Sequence, residues 1–505
     1  MRSAKRLAGP VFLLAVFAIA TSPDHRSYSQ TSASGLATVS VPAGAGDAAP
    51  GERAARRGFD ARMVKLGGDP ARKDVREHLK FCARAGFNAL WVYSHEAGRW
   101  TAQDAPKGPH LTRAFLRIAR WCRRHDVRIA VSVNPVADSR DTFVFHDQEG
   151  ERRVAAFFDL LRRKAGVRDF VVSFDDQPTR LSDIDDILHY GAVAAPAHLD
   201  LAGRLDRIVK PGEKLWLCAS VYCDDHLEGD GGPYGRAFLQ GVSGLPADIG
   251  IVWTGPSVIS HSVTGADLAA TRSRLGGRPL LLYDNFPSND DGEAGALGLV
   301  LSPLRHRSAD LAAQASVYLA CPMTELGASR LPLMTVADYL ADPSAYDADS
   351  SLRGAIVHLA GRKVPVREAL AVQAAEWGGW IDEPRYKHVD EDDFDTAAAS
   401  LDDPSAADSW ESVAREYPAR IALLHSLSDA PFRRDLLAVM ERRLTVARAW
   451  PALRRYRMAK GPDGDASEAT AAETDLRRLR RSFKSSAGAA RAFDLFLEAA
   501  GVKLP

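Results

Sequence analysis

Between residues 58 and 335, short apolar runs alternate with amphipathic helical patterns, and this alternation constrains the fold more than any other feature. The runs fall at 88–93, 127–134, 169–174, 215–222, 249–253, 279–283 and 316–320, with a weaker first strand at 58–64. Most are nearly continuous in apolar residues, as strands buried on both faces must be. Segments 74–85, 111–125, 152–164 and 266–275 place apolar residues three and four apart, the period of a helix with one buried face. Eight strands with helices between them predict a (β/α)8 barrel. A doubly wound open sheet is the alternative. Against it, no GxGxxG follows the first strand and no Walker A sequence occurs.

The strand signal stops near residue 335. Residues 336–505 carry helical patterning, rich in alanine and charge, and predict an all-helical C-terminal domain. At the other end, Arg2, Lys5 and Arg6 precede an apolar run too short to span a bilayer comfortably, which closes on Ala18-Ile19-Ala20. Residues 1–20 are expected to be a cleaved signal peptide, with an uncleaved N-terminal anchor as the alternative, and the protein to be secreted or periplasmic. Residues 21–57, rich in Ser, Ala, Gly and Pro, read as a flexible linker. The predicted domains are thus the barrel at 58–335 and the helical bundle at 336–505.

Lys and Arg together number 65, as do Asp and Glu, so the formal net charge is zero. No basic surplus calls for nucleic acid, and nothing beyond the signal segment calls for a membrane. Five cysteines are too few to build a disulfide scaffold. Cys218 and Cys223 are separated by an odd number of residues. On one strand they would face opposite sides, so no disulfide is expected between them.

Catalytic groups of such barrels gather where the strands end. The fourth run ends in Asp175-Asp176, Asp224-Asp225-His226 follows the fifth, and Asn289-Asp290-Asp291 follows the seventh. An Asp-Asp pair by itself is ordinary loop or capping material. Three acidic clusters at three strand ends favour a polar site. Adjacent carboxylates also disfavour joint ionisation, which suits one as a general acid beside a charged neighbour. A divalent-metal site is a weaker reading, since no HExxH or HxH pair is present.

Three segments in order carry a resemblance: Phe174-Asp175-Asp176; Trp253-Thr254-Gly255-Pro256 with Ser257 and Ser260; and Asp284-Asn285 with Asn289-Asp290. Together they resemble glycoside hydrolase family 84, the β-N-acetylglucosaminidases that include O-GlcNAcases and bacterial hyaluronidase-like proteins. Gly58-Phe59, Cys218 and Tyr222-Cys223 add matches, and the resemblance covers the barrel.

The resemblance implies a retaining hydrolysis in which the substrate's own acetamido carbonyl attacks the anomeric carbon. Asp175 would polarise the acetamido N–H, and Asp176 would be the general acid and base. Tyr222 and Asn285 would hold the acetamido region, Asp290 would accept sugar hydroxyls, and Tyr283 would form an aromatic wall where the family often has Trp. Gly58 would correspond to the family's first-strand glycine. His95 falls nearest a lysine at the end of the family's second strand. Cys321 stands where the family has asparagine at the eighth. The implied partner is a carbohydrate or glycoconjugate, and no cofactor or metal is implied. These departures touch the shell that reads outer hydroxyls and leave open which N-acetylhexosamine is bound. The alternative from another class is a carbohydrate-binding or scaffold protein without turnover, which retention of both aspartates opposes.

Overall fold

Eight parallel strands close on themselves in the computed structural model, which describes residues 58–101, 108–137, 143–227, 232–289, 298–378, 394–462, 464–483 and 486–504. They are β1 (Ala61–Lys65), β2 (Ala89–Tyr93), β3 (Arg128–Val133), β4 (Asp169–Ser173), β5 (Lys214–Cys218), β6 (Gly250–Trp253), β7 (Leu280–Pro287) and β8 (Val317–Cys321). Each pairs with its sequence neighbours, and β1 pairs with β8 to close the barrel. The signal-peptide and linker expectations at 1–20 and 21–57 lie outside the described residues.

The two-residue period of the strands sorts their side chains. Met63, Trp91, Ala130, Val171, Trp216, Val252, Leu281 and Leu319 fill the barrel interior. The intervening positions, such as Val64, Leu90, Val131, Val172, Leu217, Ile251 and Leu282, turn outward under the helices. Burying one such aliphatic side chain contributes roughly 1.5–3 kcal/mol, so both faces of every strand are anchored.

Two strands differ from the sequence expectation in ways that shape the site. The fifth was expected to run to Tyr222 and instead ends at Cys218. The seventh was expected to end at Tyr283 and instead continues to Pro287, carrying Asn285 on regular strand geometry.

Beyond β8 the described chain is helical. Arg330–Ala341 is followed by Ala348–Ala360, Val364–Glu376, Ala406–Leu424, Ala430–Ala459, Ala466–Phe483 and Ala487–Ala499. This region packs on the barrel. The Gly327 amide donates to Asp435 at 2.7 Å, and the Leu301 amide donates to the Trp377 carbonyl at 3.1 Å. No helix among the described residues is long and apolar enough to cross a membrane.

Candidate active site

A cavity of about 270 Å³ opens at the C-terminal ends of the strands. Its lining includes Asp175 and Asp176 after β4, Tyr222 after β5, Thr254 and Val258 after β6, and Tyr283 and Asn285 on β7. Lys65, Trp91 and Tyr93, from β1 and β2, form the wall across from them.

Consecutive residues of a strand face opposite sides, so two adjacent aspartates should not share a cavity. The backbone resolves this. Ser173 ends β4 pointing inward, and Asp175 keeps that direction. Asp176 then takes a left-handed conformation, φ +56°, which swings its carboxylate back to the same cavity. Such a conformation costs on the order of 1–3 kcal/mol outside glycine, and aspartate is among the residues that tolerate it best. The turn is pinned by the Phe174 amide to the Cys218 carbonyl at 2.8 Å and the Gln177 amide to the Phe174 carbonyl at 3.2 Å.

The two carboxylates have different surroundings. Burial raises Asp175 above the ordinary carboxylate range, and the neighbouring Asp176 charge adds to this. The Ser173 hydroxyl and the Lys65 ammonium act in the opposite direction. The Ser173 hydroxyl donates directly to Asp175 Oδ1. Asp176 accepts from the Tyr222 hydroxyl at 2.7 Å. Burial, and then that hydrogen bond, push the Tyr222 phenol well above its usual range, so it remains a donor.

Asn285 donates from Nδ2 to the Val258 carbonyl at 2.9 Å, which fixes the direction of its carboxamide. Val258 belongs to the loop after β6. Gly255 starts that loop at φ +107°, and a Cβ there would lie 2.8 Å from Ser260 Oγ, so the turn requires glycine. Tyr283 stands edge-on to Trp91, with centroids 5.6 Å apart, and its hydroxyl lies 3.4 Å from that of Tyr93.

A profile of the β-N-acetylglucosaminidase family matches residues 94–374, more than half of the chain. The chain belongs to glycoside hydrolase family 84. Among solved structures, a mutant O-GlcNAc hydrolase from Thermobaculum terrenum is similar over 88% of this chain and 94% of its own, with TM-score 0.58 and 19% identity. CpGH84B is similar over 88% of this chain and 77% of its own, with TM-score 0.55 and 18% identity. At these identities the likeness is one of fold, here a family 84 barrel with a helical region after it.

Within this family 84 chain, five of the residues singled out from sequence line one cavity: Asp175, Asp176, Tyr222, Tyr283 and Asn285. Two do not. Gly58 precedes β1 and so lies at its N-terminal end. Five strand residues at ~3.3 Å each put about 16 Å between the two ends. Its neighbour Phe59 instead packs edge-on against Tyr318. His95 is exposed on the short helix Ser94–Ala97 and stacks on the cavity residue Tyr93 without being part of the lining. Asp290 lies outside the described residues. Cys321 is buried at the end of β8, where the Tyr283 hydroxyl approaches its sulfur at 3.8 Å.

Sequence reasoning missed Lys65 and Ser173. The signal for Lys65 was the period of its own strand. Ala61 and Met63 point inward, so the next alternate position does too. The Asp224-Asp225 cluster has structural partners: Asp224 pairs with Arg274, and Asp225 accepts from the Ser257 hydroxyl. One group among the described residues, His146, Asp183 and Asp186, brings three possible metal-ligand atoms within 4.8 Å. There Asp186 already accepts from the Phe145 and His146 amides and the His146 ring, and Asp183 caps the helix Ile184–Tyr190. Trp253 is buried on the outer face of β6, away from the cavity.

Proposed function

We propose that this protein removes β-linked N-acetylglucosamine, or a related N-acetylhexosamine, from a glycoconjugate by substrate-assisted retaining hydrolysis. The observation that carries the reading is the turn at Asp176, which gives two consecutive aspartates to one cavity. The Asp175 carboxylate accepts the acetamido N–H, a charge-assisted bond that raises electron density on the carbonyl oxygen. That oxygen attacks the anomeric carbon while the glycosidic C–O bond breaks, and the Asp176 carboxyl delivers its proton to the leaving oxygen. The Asp176 carboxylate then takes a proton from water, which opens the cyclic intermediate from the face the aglycone left. Configuration is retained. Tyr222 orients Asp176 through both steps, and Asn285 borders the acetamido group. Export through residues 1–20 belongs to the same proposal, and the N-terminal mass of the protein recovered from its host tests it.

The nucleophile is tested with aryl β-glucosaminides carrying N-acetyl, N-fluoroacetyl, N-difluoroacetyl and N-trifluoroacetyl groups. Fluorine withdraws density from the carbonyl with little change of size. The kcat/KM should fall steadily along the series, each tenfold step corresponding to ~1.4 kcal/mol of transition-state stabilisation. A flat series would remove the acetamido oxygen from the reaction.

A further inference from the structure

The aspartate of the Asp284-Asn285 pair does not face the cavity. Between the inward Tyr283 and Asn285, it points outward and is 2% exposed. There Arg307 grips it with two parallel bonds, Nε to Oδ2 at 2.7 Å and Nη2 to Oδ1 at 2.9 Å. The Tyr318 hydroxyl from β8 donates to the same carboxylate. Both charged side chains are almost fully buried, at 1% and 3% exposure.

The guanidinium also reaches a second segment. Its Nη2 donates to the Ser260 carbonyl at 2.9 Å and its Nη1 to the His261 carbonyl at 3.1 Å. On either side of Arg307 the backbone is tied to that segment, the Val263 amide to the His306 carbonyl at 3.0 Å and the Ser308 amide to the Val263 carbonyl at 3.1 Å. Ser260 in turn organises the loop after β6. Its hydroxyl accepts from the Ser257 amide at 3.1 Å and lies 3.1 Å from the Thr254 carbonyl. Thr254 and Val258 of that loop line the cavity. One guanidinium therefore fixes both the strand that carries Asn285 and the loop whose Val258 carbonyl receives the Asn285 carboxamide.

We propose that Arg307, through Asp284, is a positioning residue for the site, holding the Asn285 carboxamide and the 254–260 loop in register from behind the barrel wall. The consequence for turnover rests on the hydrolase reading above. The consequence for the loop does not. A planar fork that satisfies a carboxylate and two carbonyls at once cannot be reproduced by an ammonium, so lysine is not an equivalent here.

The test separates positioning from simple stability. Replacing both partners, Arg307→Met with Asp284→Leu, removes the buried charges together and avoids an unpaired one, so the fold should be retained. Backbone hydrogen exchange in residues 254–261 should then quicken at least ~10-fold while β1 to β4 exchange as in the wild type. The kcat/KM on an aryl N-acetyl-β-glucosaminide should fall by about 10- to 100-fold, as misplacement of a site by a distant change can cause. Arg307→Lys should show the same local change to a smaller degree, and it decides the question if the double variant does not fold. Wild-type exchange and turnover in the folded double variant, or exchange quickened evenly around the barrel, would overturn the proposal. A wild-type protein without glycosidase activity would remove the proposed reaction and still leave the exchange measurement to judge the clamp.

Discussion

The Tyr222 hydroxyl donates to Asp176 Oδ1 at 2.7 Å, although strand β5 ends at Cys218 and Tyr222 sits in the loop beyond it. The loop is held by the Thr254 amide, which donates to the Tyr222 carbonyl at 2.8 Å. Loss of a hydrogen bond to a charged group costs about 1.5–3 kcal/mol. Tyr222→Phe keeps the ring but loses this hydrogen bond, so kcat/KM should fall by roughly 10- to 100-fold, with at most that much stability lost. Unchanged kinetics would show that Asp176 is oriented without the phenol.

Asp176→Asn should leave the barrel folded and remove proton transfer, a loss of about 10²–10⁴-fold. The loss should be smaller for nitrophenyl glycosides, whose leaving groups need little protonation, than for alkyl glycosides. Equal losses for both would exclude the acid role.

Lys65 and Asp175 share the cavity from opposite walls. Burial favours the protonated Asp175, and the Lys65 charge opposes it. If Asp175 must be ionised to accept the acetamido N–H, Lys65→Met should move the acidic limb of the kcat/KM profile to higher pH. Lys65→Arg, which keeps the charge, should leave that limb near its wild-type position. A limb that ignores the charge at residue 65 would show that Asp175 does not set it.

Glu96, buried behind Tyr93, accepts the Tyr93 amide at 2.9 Å, yet burial pushes its carboxyl up from 4.5 to about 7. Below pH 4.5 the folded and unfolded chains both hold the proton. Between 4.5 and about 7 the unfolded chain releases it first, so the stability this group contributes is lost as pH rises through that window. Glu96→Gln is neutral throughout. The slope of the thermal midpoint between pH 4.5 and 7 should be flatter in the variant, and an identical slope would place the titration elsewhere.

Much of this architecture was legible in the linear chain. Eight runs buried on both faces and separated by helical patterns leave few folds open, because each strand must be covered inside and outside. The site was legible where chemistry and strand end coincided. Asp175 and Asp176 were read at a strand end, Tyr222 and Asn285 from the resemblance to family 84, and all four line one cavity. Gly58 was aligned on a Gly-Phe pair, which marks a strand without saying which of its ends faces the cavity, and it precedes β1. His95 follows β2 on the helical turn Ser94–Ala97 and stacks on Tyr93 without lining the cavity itself.

What the sequence determined by itself was the number and order of the strands, since burial and periodicity are properties of the local chain. Tertiary structure alone decided the directions. Only closure of the barrel brings Lys65 on β1 across from Asp175 beyond β4. The left-handed turn at Asp176 makes neighbours in sequence into neighbours in the cavity. The outward face of β7 sends Asp284 to Arg307, 23 residues further along. In each case the outcome depends on which groups the fold brings within hydrogen-bond reach, and a buried polar group must find its partner wherever the chain has placed one.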